Sequence, residues 1–257
     1  MSYKSIAIIA AKESGEILKN YFRKPIQVKF KARKDLVSSA DIESEKKIFS
    51  IIRKNFPAHS IRGEELPAHQ TSSPYKWLFD LLDGTTNYIA GIPLFHISIA
   101  LTYKNKTVLA VVYDPMRDEL FCAEKNKGAY LNGQKIAVNN NSQLEDSLIS
   151  YSRSYHPTIK TIKLGTKIFK KLLPKVRAIR QFGTTAIDFC YVASGKLDAT
   201  ITTAIARGLE HPAGCFILDE AGGKSTDFSD KKWNLESKNI IATNNKIHKV
   251  LLKILKE

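Results

Sequence analysis

The spacing of apolar residues at the start of the chain predicts two helices. Apolar side chains recur at helical intervals over residues 6–21, which predicts an amphipathic helix that ends before Pro25. A second helical pattern begins at Ser39 or Asp41, either of which can cap a helix, and runs through Ile52. The first part of the chain is therefore expected to place two helices beside whatever sheet follows.

The pattern then changes to a period of two, which is typical of half-buried strands. Apolar and polar residues alternate over 95–103 and 107–113, on either side of a short turn. The segments 119–124 and 129–131 continue the alternation, and a hairpin turn follows at 131–134. The sequence therefore predicts a run of antiparallel strands in the middle of the first half.

The second half alternates between strand and helix patterns. A polar stretch over 139–143 marks a hinge, so we expect two parts, 1–140 and 141–257. The predicted strands are 148–151, 178–182, 198–202 and 239–242, and the predicted helices are 159–173, 184–194 and a basic helix capped by Asn244. The fold class that follows is α/β.

Composition supports a globular protein, since 43% of the residues are hydrophobic. No apolar run approaches the 18 residues of a membrane span, and the first residues lack the pattern of a secretory signal. Cys122, Cys190 and Cys215 are widely spaced and show no metal-site spacing, so reduced core cysteines are expected. These observations predict a cytoplasmic protein that does not enter the membrane.

The net charge is strongly positive, at +15 from 40 basic and 25 acidic residues. Such a charge suits either a nucleic-acid partner or the attraction of phosphorylated substrates. The lysines are spread along the chain and are not interleaved with aromatic residues, a distribution that favours solvated helix faces over a nucleic-acid site.

The segment 77–88 carries the chemistry. An apolar run that predicts a buried strand leads into Asp80 and Asp83, and the turn Gly84–Thr86 follows. Two carboxylates and the Leu82 carbonyl are the oxygen ligands that Mg²⁺ prefers, and the amides of Gly84, Thr85 and Thr86 can cradle a phosphate. For the Asp-Gly-Thr core of this segment taken alone, the alternative is a purely structural role, because strands often end in an Asp-Gly turn.

All twelve residues of 77–88 resemble the W-x-x-D-P-x-D-G-T-T-N-[FY] signature of the inositol monophosphatase family, with Leu81 in place of the proline. Two upstream segments resemble the same family. One ends at Asp41, and the family's aspartate at this position pairs with the threonine of the signature. Thr85 stands at the position of that threonine. The other places Glu64 at the position of the family's metal-binding glutamate.

The second half departs from the family pattern at several positions. The turn 183–186 resembles G-[ST]-A-A with Thr185 for the first alanine, and Thr184 also fits an ordinary helix N-cap. Glu210 replaces the aspartate of W-D-x-A-A-G, which binds a second metal. Thr203 falls where inositol-using members carry a glutamate that contacts the sugar. These departures put inositol specificity, but not phosphate-ester hydrolysis, in question.

The resemblance implies the layered α-β-α-β-α fold, usually dimeric, with the metal and phosphate site in the first half and the substrate site completed by the second. It also implies two or three Mg²⁺ ions, inhibition by lithium, and direct attack by water without a phosphoenzyme. The implied catalytic residues are Asp41, Glu64 and Thr85. The implied metal ligands are Glu64, Asp80, Leu82, Asp83 and Glu210, and the implied substrate contacts are Gly183, Thr184, Thr185 and Thr203.

Three functions are open at this point. The first is a phosphatase for inositol monophosphate or a similar small phosphate ester. The second is a related phosphatase for a nucleotide of the 3'-phosphoadenosine type or for fructose bisphosphate. The third is a protein that binds RNA or the transcription machinery, with phosphatase activity in second place, because some bacterial relatives have that role.

Overall fold

The structure, a computed structural model, describes residues 1–24, 28–32, 35–153, 158–203, 209 and 211–256, with only the backbone for 28–32 and 35–38. Its helices are α1 (Tyr3–Tyr21), α2 (Ser39–Asn55), α3 (Thr85–Ile89), α4 (Ile159–Leu172), α5 (Ala186–Ala193), α6 (His211–Glu220) and α7 (His248–Lys256). The helices predicted at both ends of the chain and over 159–173 and 184–194 are confirmed, with slightly shorter bounds for the last two.

The larger sheet of the described residues has seven strands in spatial order β3 to β9. They are β3 (Ser60–Arg62), β4 (Tyr75–Asp83), β5 (His96–Tyr103), β6 (Lys106–Asp114), β7 (Glu119–Glu124), β8 (Ala129–Leu131) and β9 (Gln134–Ile136). The strands from β4 onward pair antiparallel with their sequence neighbours. Short turns join the strands from β5 to β9, and the longer connection from β4 to β5 contains α3. The predicted antiparallel run is therefore confirmed. A separate hairpin, β1 (Val28–Ala32) and β2 (Asp35–Ser38), precedes α2.

The second sheet of the described residues has five strands, in the order β11-β10-β12-β14-β13. They are β10 (Leu148–Arg153), β11 (Ala178–Arg180), β12 (Ala199–Thr203), β13 (Lys224–Thr226) and β14 (Asn239–Thr243). Strand β10 pairs parallel with both β11 and β12, because a helix lies in each connection. Parallel strands bring their carboxyl ends to one edge of the sheet.

Three hydrophobic clusters show that the elements are stacked in five layers. Helices α1 and α2 pack on the outer face of the first sheet around Trp77 and Phe79. Helices α5 and α6 fill the space between the sheets, where Phe189 and Ile217 meet side chains such as Val112 from the first sheet. Helices α4 and α7 cover the outer face of the second sheet. This is the α-β-α-β-α arrangement that the resemblance implied.

The middle layer belongs to both halves of the chain. Gly214 of α6 packs so closely on α5 that a Cβ there would lie 2.7 Å from the ring of Phe189. Because α5 and α6 share one core with the first sheet, that sheet and the second half are joined by a hydrophobic contact. The predicted division at residue 140, which lies between β9 and β10, stays a prediction. Across the described ranges, no helix is both long enough and apolar enough to cross a bilayer.

Candidate active site

The site is centred on the end of strand β4, where two aspartates are buried. Asp80 and Asp83 are 8% and 5% exposed. The pairing of β4 with β5 slips between these two residues, since Asp80 faces Ser98 but Asp83 faces His96. Such a bulge adds one residue to one strand and shifts the alternation of side chains. Carboxylates three residues apart, which a regular strand would point to opposite faces, can then be directed to the same side.

The turn after β4 requires glycine at position 84. Gly84 has a φ of 102°, and a Cβ there would lie 3.0 Å from the carbonyl oxygen of Leu94. The five-residue helix α3 follows, and the first amides of a helix have no partner within it. Thr85 donates its hydroxyl hydrogen to the Leu82 carbonyl at 3.0 Å. The turn thus brings the Gly84–Thr86 amides next to the aspartates, as a phosphate cradle requires.

The second half of the chain reaches Asp83 through the start of helix α5. Asp83 Oδ2 accepts hydrogen bonds from the amides of Thr185 at 2.7 Å and Ala186 at 2.5 Å. Burial raises the pKa of the Asp83 carboxyl, while the Ala186 amide, His96 and the Thr184 hydroxyl act against that rise. These donors hold the carboxylate in one orientation at the junction of the two halves.

Thr184 does not have the N-cap role that the sequence suggested. The N-cap of α5 is Thr185, whose side chain makes no capping hydrogen bond. Thr184 instead places its Oγ1 2.9 Å from Nδ1 of His96, inside the protein. The side chain is thus directed toward His96 and not toward the first amides of the helix. The neighbouring Gly183 has a φ of 75° and packs against Asn87.

The acidic loop after β3 is held in place by a second helix. Glu45 of α2, which is 1% exposed, accepts hydrogen bonds from the amides of Glu65 at 2.9 Å and Leu66 at 2.8 Å. These bonds fix the loop that carries Glu64. Asp41 lies one turn earlier on the same helix and is also buried. The pairing of Asp41 with Thr85 and the role of Glu64 as a ligand stay predictions.

The predicted metal ligands are brought together only in part. Asp80 Oδ1 accepts a hydrogen bond from the Leu82 amide at 3.1 Å, so the ligands on β4 share one local turn. Glu210 lies outside the described residues. Within the ranges that the structure describes, no three His, Cys, Asp or Glu side chains are grouped so that they could hold a metal ion. Glu64, Asp80 and Asp83 are all described, so the structure does not bring these three carboxylates into one such group.

Thr203 lies at the end of β12, on the face toward helix α4. Its Oγ1 is 2.8 Å from the hydroxyl of Tyr151, whose ring contacts Phe169 of α4 edge-on. Its neighbour Thr202 is on the opposite face, toward α5, since side chains alternate along a strand. The substrate role assigned to Thr203 stays a prediction, and sequence reasoning passed over Thr202.

A buried acid in helix α5 was also missed from the sequence. Asp188 is fully buried, and its Oδ2 accepts a hydrogen bond from the Ser152 hydroxyl at 2.7 Å. The hydroxyls of Ser150 and Thr200 lie beside the same carboxyl. Burial raises the pKa of Asp188 to about 7, and these hydroxyls only partly offset it. The hint in the sequence was an acidic residue within an otherwise apolar helix.

The fold and the site together define a class of protein. Its members are layered α/β proteins in which a strand that ends with two aspartates is followed by a glycine turn. Comparison with known proteins makes the assignment specific. A sequence model described as "Inositol monophosphatase family" matches residues 2–257. The chain belongs to the inositol monophosphatase family, and the resemblance noted in the sequence is confirmed.

Three relatives show how far the similarity extends. Inositol monophosphatase 3 of Solanum lycopersicum is 35% identical over 260 residues, 99% of this chain and 97% of the relative. Nus factor SuhB of Pseudomonas aeruginosa is 35% identical over 254 residues, covering 96% and 93%. The crystal structure of the extragenic suppressor protein suhB from Bartonella henselae superposes with a TM-score of 0.94 at 34% identity, covering 99% and 98%.

Proposed function

We propose that this protein is a Mg²⁺-dependent phosphomonoesterase that hydrolyses inositol monophosphate or a similar small phosphate ester. The observation that carries the proposal is the end of β4, where buried Asp80 and Asp83 adjoin the Gly84 turn and the start of α5 is hydrogen-bonded to Asp83. Carboxylates beside a phosphate cradle repel a phosphate unless cations lie between them. The family is metal-dependent, which agrees with this requirement.

The donor chemistry of the described residues fits magnesium. The candidate ligands are all oxygen atoms, from Glu64, Asp80, Asp83 and the Leu82 carbonyl, and each carboxylate has about four acceptor positions. Asp83 uses Oδ2 for the α5 amides, so acceptor capacity is left for a cation. When bound, Mg²⁺ supplies an activated water and neutralises charge on the attacking and leaving oxygens. Glu210 is assigned to a second site together with Asp83, and inhibition by lithium belongs to the same proposal.

The protein's own groups would bind the phosphate and orient the water. The amides of Gly84, Thr85 and Thr86 donate to phosphate oxygens. Thr85 has two acceptors for its hydroxyl hydrogen: the Leu82 carbonyl, which it uses here, and Asp41, which the resemblance implies. When the hydrogen turns to Asp41, the Leu82 carbonyl is released as a ligand and the Thr85 oxygen can accept a hydrogen bond from the attacking water.

The substrate is assigned only by class. Gly183, Thr184, Thr185 and Thr203 are proposed to contact the organic part of the ester. The decisive experiment measures phosphate release from inositol 1-phosphate, fructose 1,6-bisphosphate, adenosine 3',5'-bisphosphate and p-nitrophenyl phosphate, with Mg²⁺ and with excess EDTA. We expect release from a small sugar or inositol phosphate that stops in EDTA and is inhibited by lithium. A folded protein that releases no phosphate from any ester with Mg²⁺ contradicts the proposal.

A cationic face favours RNA binding as a second candidate function. Helices α4 and α7 contain eight lysines and no acidic residue, and they pack together, since Lys171 donates to the Ile254 carbonyl. Basic side chains exposed on these helices and just beside them are Lys160, Lys163, Lys167, Lys170, Lys175, Arg177, Lys246, Lys249, Lys253 and Lys256. Lysines that are scattered in the sequence thus meet on one outer layer, where they suit a phosphate backbone.

Neutralising this cationic face should weaken RNA binding and its dependence on salt. The test variant replaces Lys163, Lys167, Lys249 and Lys253 with glutamine. On single-stranded RNA each lost phosphate contact lowers the slope of log K against log salt by about 0.7, so four contacts lower it by roughly 3. Fluorescence anisotropy with a labelled 20-nucleotide RNA, from 50 to 300 mM KCl, measures both affinity and slope.

The matched control removes the same charge elsewhere. Lys46, Lys54, Lys104 and Lys106 are exposed on the first half of the chain, and glutamine at these positions should leave the slope nearly unchanged. Equal losses in the two variants would show that only net charge matters. Binding that vanishes by moderate salt in the wild type would leave the phosphatase as the sole function.

We also propose that the protein is a cytoplasmic homodimer. The family resemblance implies the dimer, and β11, a sheet edge among the described strands, offers an unpaired side for association. The three cysteines are buried and none forms a disulfide, which suits a reducing compartment. Sedimentation equilibrium at micromolar concentration should give twice the 28.8 kDa chain mass, and a single-chain mass would contradict the dimer.

A further inference from the structure

A chain of buried polar groups leads from the active-site carboxylate to the protein surface. It runs through Asp83, Thr184, His96, Asp114 and Arg117. His96 Nδ1 lies 2.9 Å from Thr184 Oγ1, and His96 Nε2 lies 3.3 Å from Asp114 Oδ2. Arg117 closes the chain with a 2.7 Å hydrogen bond to the same Asp114 oxygen. The side chains of His96 and Asp114 are fully buried, whereas that of Arg117 is 44% exposed.

The sheet register explains why these groups meet. His96 is the first residue of β5 and stands opposite Asp83, the last residue of β4. Asp114 ends β6, one position past the Ile97–Tyr113 pair, at the same end of the sheet. The Cβ of Thr184 in turn packs close to the Gly84 turn. Three segments distant in sequence therefore converge behind the candidate metal site.

The Asp114 carboxylate is firmly held at the far side of His96. Its Oδ1 accepts hydrogen bonds from the amides of Met116 at 2.9 Å and Arg117 at 3.0 Å. Burial acts to raise the pKa of Asp114, but His96 and Arg117 outweigh burial and lower it. The Asp114 carboxylate is thus held on the Nε2 side of the imidazole ring, 3.3 Å from that nitrogen.

His96 anchors the segment that supplies the donors to Asp83. Thr184 directly precedes Thr185 and Ala186, whose amides donate to Asp83 Oδ2 at 2.7 Å and 2.5 Å. The contact between His96 Nδ1 and Thr184 Oγ1 fixes the side chain at the start of this segment. Loss of that contact would free the segment and weaken the hold of its two amides on Asp83.

We propose that His96 is a positioning residue for the active site, holding Thr184 so that the amides of the next two residues orient Asp83 for the metal. The proposal rests on the proposed function, because it treats Asp83 as a metal ligand. Asp83 then has two donors from one segment, the amides of Thr185 and Ala186. Donors behind a ligand fix its orientation, and their loss typically lowers metal affinity by about 10- to 100-fold.

The experiment measures Mg²⁺ binding directly by isothermal titration calorimetry, using the metal alone, with melting temperature as the check on folding. Thr184→Val removes the hydroxyl at constant shape, and His96→Leu removes both ring nitrogens. Each should raise the Kd for Mg²⁺ by about tenfold or more. Thr184→Ser keeps the hydroxyl and His96→Asn keeps a donor near the Nδ1 position, so both should restore affinity to within about threefold of the wild type.

The double variant Thr184→Val/His96→Leu separates positioning from general damage. If His96 acts through Thr184, the double variant binds Mg²⁺ no more weakly than the worse single variant, because coupled residues are not additive. Wild-type affinity in folded Thr184→Val, or fully additive losses, would overturn the positioning role. A wild-type protein that binds no Mg²⁺ would instead refute the proposed function itself. Should His96→Leu fail to fold, the Thr184→Val and Thr184→Ser pair still decides.

Discussion

Replacement of Asp83 by asparagine should lower phosphate-ester hydrolysis by at least about 10³-fold, because the metal's charge stabilisation of several kcal/mol corresponds to that factor. The substitution removes the negative charge at the proposed bridge between two metals. It also replaces one acceptor oxygen with an NH₂ group beside the Thr185 and Ala186 amides, which need acceptors. Initial rates across a Mg²⁺ titration measure the effect, since a ligand that is only weakened would recover at high Mg²⁺.

Two further variants show whether this loss comes from the site. Asp118→Asn makes the same chemical change at an exposed side chain and should keep the wild-type rate. Asp80→Asn should lose activity as Asp83→Asn does, because both carboxylates end the same strand. Wild-type turnover by Asp83→Asn at saturating Mg²⁺ is incompatible with the metal assignment. Melting curves confirm that each variant is folded before rates are compared.

Replacing Asp188 with asparagine should change how stability depends on pH. The folded-state pKa of Asp188 is about 7, above its ordinary value of 3.8, so the folded protein holds this proton more tightly than the unfolded chain does. The stabilisation is complete below pH 3.8 and is lost as the pH rises through 7. A difference of about three units corresponds to roughly 4 kcal/mol between these limits. Asparagine keeps the shape and does not ionise.

Urea unfolding at pH 4.5, 6 and 8 in EDTA measures this difference. The free energy of unfolding of the wild type, relative to Asp188→Asn, should fall steadily as the pH rises. Asp146→Asn, at a side chain that is 56% exposed, should keep the wild-type pH dependence. Parallel curves for wild type and Asp188→Asn would mean that the carboxyl is ionised, or satisfied by other groups, throughout this range.

Much of the fold was predictable because local patterns and tertiary packing agree. The alternation around residues 104–106 gave the β5–β6 hairpin, and the amphipathic pattern over 159–173 gave α4. The five layers came from the resemblance and are confirmed. Asn244, expected to cap the final helix, lies four residues before α7 begins at His248, and its side chain accepts hydrogen bonds from the amides of Lys246 and Ile247 in the preceding turn.

The contacts behind the site could not be predicted, since they depend on register and on distant segments. The bulge between Asp80 and Asp83 leaves no mark in the sequence, yet it sets which residue faces His96. Thr184 reads locally as an N-cap, and only the tertiary structure brings His96 to its hydroxyl. Glu45 had a weak signal, four residues after Asp41 on a predicted helix, but nothing in the sequence indicates that it holds the loop of Glu64.

The hydrogen bonds from the start of α5 to Asp83 span 102 and 103 residues of chain. A ribosome that adds about 5 to 20 residues per second needs roughly 5 to 20 seconds to cover that interval. During this time the nascent polypeptide already carries its acidic strand end but not the amides that orient it. Enzymatic competence therefore arrives late in translation, and a product released prematurely near residue 140 would leave cellular phosphate esters untouched.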